Sequence, residues 1–193
     1  MDLNKIFTNN QQWVASKLKE DTSYFNKLAK GQQPGILYMG CSDSRVVPEL
    51  FMGLAPGDIF VHRNVANLVD LGDKSAMMVL QYALEQLKVS HIVVCGHYGC
   101  GGVTAAMEDP VIHQPDEWLS PIKNLIKQHR DELDAFEDSY QAQRRLVELN
   151  VLRQCANIEQ HPLVQKCLQE KQISLQAWVY DVGTGLLTDL KTP

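Results

Sequence analysis

No stretch of this chain approaches the roughly 18 consecutive apolar residues of a membrane-spanning helix, so a membrane partner is not expected. The opening MDLNKIFTNN lacks the basic patch and apolar run of a secretory signal, which makes a cytoplasmic location the expectation. Clusters of Lys and Arg interleaved with aromatics are missing too. With a formal charge of -5 the chain offers no track for a phosphate backbone, and no nucleic-acid partner is expected. Five cysteines, an odd number spread over 193 residues, argue against a disulfide framework and for metal binding or reactive thiols. Internal repeats, low-complexity tracts and linkers are absent. Residues 1–193 therefore read as a single domain whose first 33 residues form a helical arm.

What is present alternates between strand and helix patterns. Ile6, Trp13, Leu18, Phe25 and Leu28 recur among polar residues and predict a leading helix ended by Gly31 and Pro34. ILYMG at 36–40 reads as a buried strand, DIFVH at 58–62 as a second and HIVVCG at 91–96 as a third. Between the last two, Met77, Leu80, Leu84 and Leu87 mark one face of a helix over 74–88. After residue 102 the pattern turns helical, broken by Pro110, Pro115 and Pro121, with a long helix from about 139 to 158 on which Val147, Val151, Cys155 and Ile158 share a face. ISLQAWVYDV at 173–182 and LLTDL beyond it predict an edge hairpin. The fold class is thus α/β: a mostly parallel sheet flanked by helices, with an antiparallel edge strand near the C-terminus and an extended N-terminal helix. In such sheets ligands gather at the carboxyl ends of the strands, where the polar loops 41–45 and 97–102 both fall.

Zinc favours thiolate and imidazole, and a catalytic site joins three protein ligands to an open position. Cys41, His97 and Cys100 offer that set: His97 and Cys100 from one tight loop, Cys41 from the end of a different strand. A His-x-x-Cys pair alone does not separate a metal site from packed thiols. The surroundings do more. Gly96, Gly99, Gly101 and Gly102 let the backbone bend around a small ligand. Asp43 would be costly beside buried thiolates unless Arg45 neutralised it, and an Asp-Arg pair does so with charge-assisted hydrogen bonds.

CSDSR at 41–45 and CGHYGCGG at 95–102 together resemble the β-class carbonic anhydrases, and the similarity continues through HRNVANLV at 62–69 and WVYDVGTGLL at 178–187. The resemblance implies a Zn2+ enzyme interconverting carbon dioxide and bicarbonate. It implies Cys41, His97 and Cys100 as ligands, water or hydroxide as the fourth, and Asp43 with Arg45 as the catalytic dyad. The backbone N–H of Gly101 would hold the product oxygen. Some members shut down when the aspartate moves onto the metal, which makes Asp43 a ligand in a closed state only. Those members bind bicarbonate at a second pocket whose matching positions here are Tyr38, Arg63 and Tyr180, with Tyr38 in place of a Trp. The position of a substrate-facing Gln in plant-like members is Ala55 here. A homodimer or homotetramer is implied, with the leading helix reaching across a neighbour.

Three other readings stay open at this point: a noncatalytic protein whose metal Asp43 closes permanently, a hydrolase of carbon disulfide or carbonyl sulfide, and a nucleotide module with the glycine-rich loop as phosphate cradle. The last lacks both the GxGxxG order and a P-loop lysine. Cys95, Cys155 and Cys167 read as packed thiols, His62 and His91 as structural, and His113, His129 and His161 as solvent-facing. Trp13, Trp118 and Trp178 read as core or subunit-contact residues, and 131–138 as a solvated helix face.

Overall fold

The structure, a computed structural model, describes residues 2–108 and 116–191. His113, Pro110 and Pro115 lie outside them. The chain divides into two compact units, Met1–Gln33 and Pro34–Pro193.

The first unit is not the single helix its periodicity predicts. It comprises α1 (Asn4–Glu20) and α2 (Tyr24–Leu28), broken at residues 21–23. Asp21 causes the break: its carboxylate accepts from the backbone N–H of Ser23 at 2.9 Å, the Ser23 hydroxyl at 2.7 Å and Lys27 Nζ at 2.7 Å. A short acidic side chain that bonds its own backbone two residues on competes with helix continuation. Trp13 then meets Phe25 edge to face at 5.4 Å between ring centroids. Leu3, Ile6, Phe7, Trp13 and Leu18 remain exposed.

In the second unit, β1 (Ile36–Cys41), β2 (Ile59–Asn64), β3 (His91–His97), β4 (Ser174–Tyr180) and β5 (Leu187–Asp189) form a sheet in the order β2-β1-β3-β4-β5. The first four strands are parallel and β5 runs antiparallel beside β4. The second strand runs to Asn64, two residues beyond the predicted end, because it keeps pairing with β1 as far as Cys41. Connections from β1 go to β2 on one side, while β3 lies on the other, so the chain diverges between β1 and β3. That divergence opens a crevice at their carboxyl ends.

Between strands lie α3 (Pro48–Phe51), a 3-10 turn (Val65–Asn67), α4 (Lys74–Tyr82) continued by a π-helical turn (Ala83–Leu87), α5 (Gly101–Met107), α6 (Asp116–Gln128), α7 (Arg130–Asp134), α8 (Ser139–Glu159) and α9 (Pro162–Gln169). Pro121 sits inside α6 and does not end it. Leu119, Ile122 and Leu125 are all buried, and that apolar face outweighs the one backbone bond a proline forfeits. The main core joins these helices to one sheet face through Leu37, Met39, Ile92, Val94, Ala177 and Val179. Each such aliphatic side chain contributes about 1.5–3 kcal/mol on full burial. The long helix α8 packs on β3 and β4 along Val147, Val151 and Cys155, as predicted. On the opposite face a smaller cluster gathers Tyr38, Ile59, Val93 and Cys95 with Phe51 and Tyr180.

Candidate metal centre

Cys41 ends β1 and His97 ends β3, so both side chains leave the carboxyl edge of adjacent parallel strands at the crevice. Cys100 follows as the residue that starts α5. The turn between them requires Gly99, whose φ of 69° is a left-handed conformation that other residues resist. These strand ends bring one ligand atom from each of Cys41, His97 and Cys100 to within 4.8 Å of one another, all three residues being buried.

The electrostatics suit a cation. The two sulphurs lie 3.8 Å apart. The contact between them lowers the Cys41 thiol pKa and raises that of Cys100. A divalent ion between them would permit both to be thiolates. His97 Nδ1 lies 3.2 Å from the Tyr98 carbonyl oxygen, while its buried Nε2 has no hydrogen-bond partner. With Nδ1–H donating to that carbonyl, Nε2 presents a lone pair, as metal-ligating histidines do. Without a ligand such a buried nitrogen is expensive. The residues therefore fit zinc.

Asp43 stands beside this group, its Oδ2 3.8 Å from His97 Nε2. Arg45 takes both carboxylate oxygens, Nε at 3.0 Å from Oδ1 and Nη2 at 2.7 Å from Oδ2, while the Arg45 backbone N–H donates to Oδ1 at 2.9 Å. These bonds hold the carboxyl well below the usual carboxylate range. Arg45 Nη2 also donates to the Gly99 carbonyl at 3.2 Å and so ties the two ligand loops together.

Arg63, expected in a second pocket, spans the first ligand loop: Nε donates to the Cys41 carbonyl and Nη2 to the Asp43 carbonyl, each at 2.7 Å. Tyr38 is fully buried in the smaller cluster, where desolvation pushes its phenol pKa up. Tyr180 stacks on Phe51 with centroids 4.1 Å apart. Gly101 is exposed at the start of α5.

Sequence reasoning missed the turn behind Cys41. Ala66 and Asn67 adopt φ of 64° and 49°, left-handed positions that cost a residue with a Cβ about 1–2 kcal/mol. Asn64 closes this turn on itself, accepting from Leu68 N–H at 2.8 Å and donating to Leu68 carbonyl at 2.7 Å. From α8, Asn150 Nδ2 donates to the Ala66 carbonyl at 2.9 Å, Gln154 Oε1 accepts from Val69 N–H at 2.8 Å, and Asn157 Nδ2 donates to the Val69 carbonyl at 2.9 Å. A signal existed: Asn150, Gln154 and Asn157 are polar positions at spacings of four and three beside the apolar face of α8. On the other flank, the Tyr98 hydroxyl donates to Glu148 at 2.9 Å and the Arg144 guanidinium lies 3.4 Å from its ring centroid.

The remaining residues fall outside the centre. Cys95, Cys155 and Cys167 are buried thiols. His91 is exposed and meets Ser174 Oγ at 2.8 Å, and His129 meets Glu132 at 3.0 Å. His161, expected to face solvent, is half-buried with Nδ1 enclosed, because it caps the start of α9 rather than lying on an outer face. Trp118 donates to the Val65 carbonyl at 3.0 Å, Trp178 packs on the smaller cluster, and on α7 Leu133 is buried within the otherwise solvated acidic stretch.

Comparison with known proteins agrees with this geometry. Residues 36–187 match the family model described as carbonic anhydrase. A curated relative from Emericella nidulans, named carbonic anhydrase, is 48% identical over 187 residues, covering 96% of this chain and 82% of its own. Another of that name from Candida albicans is 35% identical, covering 97% and 68%. A solved structure from Sordaria macrospora, described as one of two tetrameric β-carbonic anhydrases, superposes with a TM-score of 0.94 at 37% identity, covering 97% of this chain and 96% of that one. The chain belongs to the β-carbonic anhydrase family.

Proposed function

We propose that this protein hydrates carbon dioxide reversibly to bicarbonate and a proton, on zinc held by Cys41, His97 and Cys100. The observation that carries the reading is Asp43, gripped by Arg45 through both oxygens yet 3.8 Å from the unpartnered His97 nitrogen. Zinc held by three such ligands supplies a Lewis acid that lowers the pKa of water to about 7 and provides hydroxide near neutrality. Asp43, kept ionised by Arg45, cannot donate a proton and acts as an acceptor. It takes a hydrogen bond from the attacking O–H and turns the oxygen lone pair towards carbon dioxide. The Gly101 N–H, at the exposed start of α5, would donate to an oxygen of the forming bicarbonate. Arg63 keeps Cys41 and Asp43 in register through their carbonyls, which we take as its first duty ahead of a bicarbonate pocket with Tyr38 and Tyr180.

A closed state, with Asp43 as fourth ligand, would require Arg45 to release both oxygens. The bidentate pair therefore favours the catalytic reading over the noncatalytic one, and nothing around the site selects carbon disulfide or carbonyl sulfide. The exposed apolar side chains of α1 support a homodimer or homotetramer in which the arm covers a neighbour. Among the described residues no helix is long and apolar enough to cross a membrane. Stopped-flow hydration with a pH indicator between about pH 6.5 and 9 tests the function. Zinc-dependent turnover is expected, and zinc-loaded protein inert across that range would overturn it.

A further inference from the structure

Outside the dyad, the least expected polar feature is the ladder on the buried side of α8. Gln154 is 1% exposed and Asn150 1% exposed. Gln154 Nε2 donates to Asn150 Oδ1 at 2.8 Å, and Asn157 Nδ2 donates to Gln154 Oε1 at 3.2 Å. Three amides thus bond one another in series, and each also bonds the backbone of residues 66–69. Burying such groups is tolerated only when they are satisfied, and a fully satisfied network rigidifies what it touches. What it touches is the left-handed Ala66–Asn67 turn, a conformation that persists only when its surroundings over-determine it.

The turn faces the metal centre. Asn64, which begins it, pairs with Cys41 across the sheet, and its carbonyl accepts from Ser42 N–H at 2.9 Å. Gly102, two residues past Cys100, passes so close that an added Cβ would meet Ala66 Cβ and Val65 Cγ1 at 3.0 Å each. The turn therefore contacts both thiolate-bearing loops.

We propose that Asn150, Gln154 and Asn157 are positioning residues for the metal centre: they hold the Ala66–Asn67 turn, and through it the backbone of the loops that carry Cys41 and Cys100. This rests on the reading that Cys41 ligates zinc. The ladder touches neither substrate nor metal. Its effect runs through the backbone of the two ligand loops, an outer support whose loss weakens metal binding about 10–100-fold.

The test compares zinc release to a chromophoric chelator, and the thiolate-to-cobalt charge-transfer absorption of cobalt-loaded protein, in wild type, Asn150→Leu and Val164→Ala. Val164 is a buried core residue of α9 and serves as the destabilised control. Asn150→Leu is expected to release zinc about 10–100-fold faster and to shift the charge-transfer band, whereas Val164→Ala does neither. Folded Asn150→Leu with wild-type release and an unmoved band overturns the proposal. Should Asn150→Leu fail to fold, Asn157→Leu, half-buried at the ladder's outer end, decides it: several-fold faster release supports the clamp and wild-type release overturns it. Wild-type protein that binds no zinc would defeat the functional reading itself. Zinc-binding wild type with unaltered variants defeats the clamp alone.

Discussion

Arg45 holds Asp43 by both carboxylate oxygens and, with the same Nη2, reaches the Gly99 carbonyl on the loop that carries His97 and Cys100. One guanidinium thus fixes the charge and direction of the acceptor and the spacing of the two ligand loops. Asp43→Ala should therefore retain zinc, measured by metal analysis, while kcat/KM falls about 100-fold, the scale of a misplaced reacting group. Normal turnover in Asp43→Ala would remove its role.

Arg45→Gln separates the two duties of the arginine. Loss of the pair frees the carboxylate and lets its pKa rise towards the ordinary value, so hydration should slow by about 100-fold or more with zinc content unchanged. A variant with wild-type kcat/KM would show that the bidentate grip is dispensable.

Cys41→Ser replaces a thiolate by a weak hard ligand on the residue whose carbonyl Arg63 holds. Most bound zinc and nearly all activity should be lost, while circular dichroism keeps its helical and sheet signals. Stoichiometric zinc in this variant would contradict the ligand assignment.

Gly96→Ala probes packing beneath the site. A Cβ there would meet Val151 Cγ2 at 2.6 Å and Val147 Cγ1 at 3.2 Å, both from α8. Overpacking of this kind costs about 1–3 kcal/mol, read as a lower denaturation midpoint in urea. An unchanged midpoint would mean that α8 shifts freely against β3.

His62 sets a pH dependence. Desolvation, only partly opposed by Asp73, lowers its pKa below the ordinary value of 6.5, so the folded state keeps the ring neutral while the unfolded chain takes up a proton. Its contribution is fully present above pH 6.5 and is lost as pH falls through the lowered folded value. Urea stability should decline as pH falls from 6.5 towards that lowered value, and His62→Gln should flatten the decline. Equal slopes would assign the proton uptake elsewhere.

Much of this was written locally in the chain. β1 and β3 announce themselves as apolar runs that stop at glycine, and the ligands follow at once, so strand ends and chemistry are legible together. The break at Asp21 is not legible, because an apolar period carries no sign of a carboxylate folding back on Ser23. Pro121 reads as a stop in the sequence because burial of Leu119, Ile122 and Leu125 is a tertiary fact. The ladder was hidden for a related reason: Asn150 and Ala66 are 84 residues apart, and a bond across that distance leaves no local pattern. The carbonyl partners of Arg63 on the Cys41 loop are likewise tertiary and leave no mark in the sequence, where Arg63 reads as part of an anion pocket.

The strand ends that carry Cys41 and His97 are fixed by pairing of β1 with β2 and β3, by Arg63 and by contacts from α8, all of them protein bonding to protein. This order of assembly differs from that of a zinc finger, where the ion is the scaffold and chelation means unfolding. Here the polypeptide should mature first and take its ion last. Loss of metal in a metal-poor cell would then leave an intact receptor, ready to be refilled without a chaperone.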